Sequence, residues 1–213
     1  MRSLACFLLA ATLCAPLSAQ PDLQGVYQAI ADGVMAPGGL KNAGSPAAIQ
    51  IAPAAARESA SKDPWKMCQP VGPFRMMAVD GVKIELAPAG TSRIVMLFED
   101  LSHGLIRTIY MKRGHPEKLE PTWLGDSTGR WEGDVLVVDT VGFNGETWLN
   151  DKGARHSEAL HLVERIRPIP GGPYLEYRMT AEDPKALARP YTYTRFFQKL
   201  DGEIMDDVCR DQE

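Results

Sequence analysis

From residue 82 onward the chain is built on alternation. In "RIVMLFED" the apolar side chains Ile94, Met96 and Phe98 fall on one face, as the two-residue period of a strand requires. "VKIELA", "GLIRTIYMK", "EALHLVERIRPI", "PYLEYRMTAED", "PYTYTRFFQKL" and "EIMDDVC" have the same character. They are short, rich in β-branched and aromatic residues, and separated by Gly, Pro or Asp. The spacing predicts about eight or nine strands joined mainly by hairpins, with no long helix. Strands of this kind close into barrels or stack as sandwiches. The expected fold is all-β, a small antiparallel β-barrel of the lipocalin-like kind, with a β-sandwich as the alternative. Closure favours the barrel because it removes exposed edges.

The stretch "GDSTGRWEGDVLVVDTVGFNGETW" concentrates the carboxylates Asp126, Glu132, Asp134 and Asp139 around an apolar run. Its alternation resolves it into two strands, "STGRW" and "DVLVVDTVG", turned at Glu132-Gly133. Glu132 and Asp134 then lie in solvent at a hairpin tip. Asp139, at the end of the second strand, is not explained by the turn.

Residues 21–63 read differently. "DLQGVYQAI" fits a first short strand, but the following segment is rich in Ala, Gly, Pro and Ser. It reads as an irregular N-terminal arm with a short helical turn at 54–61. The expected organisation is a signal peptide at 1–20, the arm at 21–63 and the barrel at 64–213. "MRSLACFLLAATLCAPLSAQ" has the charged, apolar and small-residue order of a secretory leader, cut near Ala19 or Gln20. The expected location is periplasmic or secreted. Removal of the leader leaves Cys68 and Cys209, expected to form a disulfide in an oxidising compartment. No later run is apolar enough for a transmembrane helix. A net charge of −4 with scattered basic residues provides no footprint for nucleic acid.

The candidate chemistry lies with the imidazoles. There are four histidines, and His103, in the turn "DLSHGL", reads as solvated. His115, in "KRGHPEKLEPTW", and His156, in "DKGARHSEAL", sit in loops, while His161 opens a strand. In that strand Glu164 shares a face with Leu160, Leu162 and Ile166. A carboxylate in an apolar row needs a partner. It is either a general acid or base with a raised pKa, or one half of an ion pair with Arg107, Arg178 or Arg195. His115, His156 and His161 are candidate ligands for a divalent metal (Zn, Fe or Cu), or with Glu164 a metal-free acid–base cluster. Trp123 and Trp148 beside these loops, with Asn144, are candidate walls of a small-molecule pocket. No nucleophile elbow, phosphate loop or dinucleotide fingerprint occurs.

The residues from His115-Pro116 through Pro121-Trp123, Gly129–Asp134, Gly142–Asn144, Thr147–Leu149 and His156-Ser157 to Leu160–Arg165 form one long pattern. That pattern resembles a family of exported bacterial proteins, numerous in acidobacteria and some proteobacteria. "KDPWKMCQP", "AEDPKALARPYTYT" and "DDVC" extend the likeness over about residues 62–210. "GARHS" departs from it by lacking a proline before His156. The resemblance implies export and brings no reaction with it. Three functions are therefore carried forward. The first is an exported barrel binding a small, largely apolar molecule at a mouth formed by 113–126 and 143–161. The second is a lyase, isomerase or hydrolase using His115, His156, His161 and Glu164. The third is a structural or partner-binding envelope protein.

Overall fold

Nine strands close into a barrel in simple chain order. The computed structural model describes residues 20–53, 55, 58–99 and 105–205. The leader, His103, Cys209, most of "EIMDDVC" and part of the expected turn at 54–61 lie outside the described residues. The strands are β1 (Gly25–Ala29), β2 (Lys83–Ala89), β3 (Arg93–Glu99), β4 (Ile106–Tyr110) and β5 (Asp126–Glu132). They continue as β6 (Val135–Val141), β7 (His161–Ile169), β8 (Tyr174–Glu182) and β9 (Tyr191–Leu200).

The expected antiparallel barrel is present, with one parallel seam. A ring of strictly alternating strands closes only with an even number, so nine strands force one parallel neighbour. That pair is β4–β5, registered only through Ile109 with Ser127 and Tyr110 with Thr128. β9 meets β1 antiparallel and closes the ring. The chain must therefore travel back along the barrel between Tyr110 and Asp126. "GHPEKLEPTW" makes this return, and Pro116 and Pro121 lack the N–H groups a ladder would need.

Strand direction gives the barrel two different ends. At one, tight hairpins join β2 to β3, β5 to β6 and β7 to β8. Glu132 pairs with Val135 across a turn in which Gly133 takes a φ of 64°. Glu132 and Asp134 are exposed there. The other end carries the long connections, residues 142–160 and 183–190 and the whole of 30–82.

The arm is consequently larger than the sequence division implied. β1 belongs to the barrel, and residues 64–82 belong to the arm that follows it. Asn42 ties the arm to β9 by accepting from the Phe196 amide at 3.0 Å and donating to the Ile30 carbonyl at 2.7 Å. Farther along, Asp63 caps a short 3-10 turn at Pro64–Met67 and takes a bidentate pair from buried Arg75 at 2.7 and 2.8 Å. Arg75 sits in the one-turn helix α1 (Pro73–Met76), which closes the loop end. Phe74 meets Tyr193 edge-on at 5.0 Å, and the Tyr193 hydroxyl donates to the Phe74 carbonyl at 2.5 Å. With Met76 and Met77, both buried, this helix plugs the barrel. Inward side chains such as Ile84, Met96, Leu136, Leu162 and Phe197 fill the rest of the core.

Candidate functional site

Glu164 points into the barrel and is wholly buried, as its apolar row predicted. Its partner is Arg107 of β4. The guanidinium donates to Glu164 through Nη1 at 2.8 Å and again through Nη2. Arg107 also donates to Ser127 Oγ at 2.9 Å and Thr140 Oγ1 at 2.7 Å, and the Tyr177 hydroxyl donates to Glu164. Consecutive strands β4 to β8 thus each contribute one polar group to a buried network. Burial works against the Arg107 charge, but Glu164 outweighs it and pushes the guanidinium pKa up. Burial, reinforced by the Glu164 charge, pushes the Tyr177 phenol well up. All three guanidinium nitrogens of Arg107 are engaged with side chains, which makes Glu164 a structural ion-pair partner. The network also crosses the β4–β5 seam, where the backbone ladder is shortest.

The three candidate histidines do not meet Glu164. His161 and Glu164 alternate on β7 and occupy opposite sides of the sheet. On the outer wall, His161 Nε2 lies 2.8 Å from Asp139 Oδ2, and His115 Nε2 lies 3.0 Å from Asp139 Oδ1. His115 Nδ1 lies 2.7 Å from Asp126 Oδ1, whose carboxylate also receives Arg113. Asp139 therefore clasps the returning segment to the barrel wall. Burial opposes its charge, but hydrogen bonds from His161 and His115 prevail and hold its carboxyl below the ordinary 3.8. Asp126 is likewise held down against burial by Arg113 and His115.

His156 is elsewhere, buried in the loop between β6 and β7. Its Nδ1 donates to the Ser157 carbonyl at 2.9 Å, leaving Nε2 to accept from Thr147 Oγ1 at 2.5 Å. Phe143 packs edge-on against its ring at 5.7 Å. Burial pushes the His156 pKa down, favouring the neutral ring. Asp183 supports the same loop by accepting from the Ser157 amide at 2.6 Å and hydroxyl at 2.9 Å. Among the described residues no group of three or more His, Cys, Asp or Glu is placed to hold a metal.

α1 and the loops around His156 occupy much of the loop end, where the expected mouth keeps a seam groove and a smaller cleft. The larger cavity, about 520 Å³, opens at the hairpin end. Its floor is Leu86, Ile94, Met111 and Trp131, and Leu23 closes one side. Gly129 on β5 makes this floor by leaving room for Met111, whose sulfur would lie 2.6 Å from a Cβ there. Trp131 packs partly buried against the core, and no sequence signal placed it in a pocket. A second groove, about 440 Å³, follows the upper β4–β5 seam between Ile106 and Trp123. Trp123 thus lines a groove, whereas Trp148 is buried and lines a smaller cleft against Glu58 and Arg155. Asn144 accepts from the Glu146 amide at 3.1 Å to form a turn. Neither the cavity nor the seam groove is lined by an imidazole.

No protein-family model and no curated protein matches the chain. Among solved structures, a protein titled REP1-NXSQ fatty acid transporter is similar at 12% identity and a TM-score of 0.41. The alignment covers 85% of this chain and 98% of that one. A mutant of the fluorescent protein UnaG is similar at 6% identity and a TM-score of 0.42, covering 84% and 97%. Among the described residues no helix is long and apolar enough to cross a membrane.

Proposed function

We propose that this protein is an exported barrel that binds a small, largely apolar molecule in the cavity at its hairpin end. The observation that carries the reading is the cavity's volume of about 520 Å³ over an apolar floor. Small-molecule sites combine that size range with mostly apolar walls and a few polar groups at the rim. The rest of the interior is occupied by the chain itself, with α1 as the plug and Arg107–Glu164 as the polar centre. Export rests on the leader pattern of residues 1–20 and is tested by sequencing the amino terminus of protein taken from the periplasm.

A neutral dye such as Nile red tests the pocket. The wild type is expected to bind it with a change in Trp131 fluorescence, and Met111→Arg to abolish binding while leaving the far-ultraviolet circular dichroism unchanged. Absence of binding to the wild type, or binding untouched by Met111→Arg, overturns the proposal. Native mass spectrometry of the exported protein would weigh any co-purified occupant.

A further inference from the structure

The cations around this cavity are not equivalent. Arg130, on its lining, donates to Glu132 at 2.8 Å, and Arg113, nearby, is spent on Asp126. Arg93 and Lys112 form no ion pair among the described residues; Lys112 donates only to Thr91 Oγ1, at 2.6 Å. These two residues line the apolar cavity and also a neighbouring cleft of about 310 Å³, completed by Ser92, Tyr110 and Arg113. They therefore stand as a ridge between the larger chamber and a smaller cleft on which three cations, Arg93, Lys112 and Arg113, converge. Asp22 is the opposing charge on the cavity lining, and its carboxylate accepts from the Gln24 amide at 2.8 Å.

We propose that the occupant is an anionic amphiphile, its apolar body over Trp131 and its carboxylate, sulfate or phosphate head held by Arg93 and Lys112. This rests on the pocket reading above and narrows it. Two cations that form no ion pair among the described residues, beside an apolar floor and the residues Thr91, Ser92 and Tyr110, match an anionic head more closely than a neutral or cationic one. Charge-assisted hydrogen bonds to such a head are stronger than neutral ones and lose strength with added salt at an exposed rim.

The test compares decanoate, decanol and decyltrimethylammonium, each below its micelle concentration, by isothermal titration and Trp131 fluorescence. Decanoate is expected to bind roughly tenfold or more tightly than decanol, and decyltrimethylammonium most weakly. The Arg93→Gln/Lys112→Gln double variant should bring decanoate to the level of decanol and leave decanol unchanged. Equal binding of all three, tighter binding of the cation, or a double variant that weakens all alike overturns the anionic head while the pocket stands. If none of the three binds and Nile red does not either, the pocket reading itself has failed.

Discussion

Glu164 of β7 and Arg107 of β4 face each other as a buried bidentate pair, although two strands separate them in the sheet. Ser127 and Thr140, on the intervening β5 and β6, complete the bridge. Removing one partner of such a pair leaves an uncompensated buried charge, at a cost of about 3–5 kcal/mol. Glu164→Gln is expected to lose that much stability in urea unfolding, and the double change Arg107→Met/Glu164→Leu to recover a large share of it. A Glu164→Gln variant as stable as wild type would mean the pair does not hold the seam.

His156 supplies a pH dependence. Its folded-state pKa lies below the ordinary 6.5, so as pH falls the unfolded chain takes up the proton first. The contribution is whole above the unfolded value and is lost as pH falls through the lower folded one. His156→Gln should flatten the slope of unfolding free energy as pH falls below the ordinary 6.5. It should also cost about 1–3 kcal/mol at neutral pH through hydrogen bonds left unmade around Thr147 and Ser157. An unchanged slope would remove His156 as its source.

The Asp139 clasp predicts local rather than global effects, because its groups are partly exposed. Asp139→Asn should speed tryptic cleavage at Arg113 or Lys118 severalfold and leave the unfolding midpoint nearly unchanged. In the intact protein the Asp139 and Asp126 carboxylates have pKa values below the ordinary 3.8. Their contribution is present above that value and lost as pH falls through the folded ones, so acid should release this segment at lower pH than it affects His156. Equal cleavage rates in wild type and variant would sink the clasp.

Gly153 offers a steric test. Its φ is 76°, and a Cβ built there would lie 2.1 Å from the Glu58 carbonyl oxygen. Left-handed strain and a backbone clash together should make Gly153→Ala cost about 3 kcal/mol, detaching the arm from the 142–160 loop. Hydrogen exchange at the Glu58 amide, which donates to the Gly153 carbonyl at 3.2 Å, reads this directly.

We also propose the Cys68–Cys209 disulfide, since Cys209 lies outside the described residues. Closing so long a loop contributes about 4 kcal/mol in the chain-entropy model. The exported protein should show no titratable thiol before reduction and a lower unfolding midpoint after it. Two free thiols in the native protein would exclude the bond.

The alternation of residues 82–200 by itself determined the strands, their inward faces and the need of Glu164 for a partner, because side-chain period and burial are local consequences of backbone geometry. It could name three arginines for Glu164 but could not choose among them. That choice came from β4 and β7 curving toward each other across β5 and β6. The sequence likewise brought three histidines close along the chain, yet strand pleating sent His161 outward and Glu164 inward, and the loop buried His156 away from both. The parallel seam and the plug by α1 have no local signal either. Both follow from closing a ring of nine strands and filling one end of it, and those conditions exist only once every strand has found its neighbours.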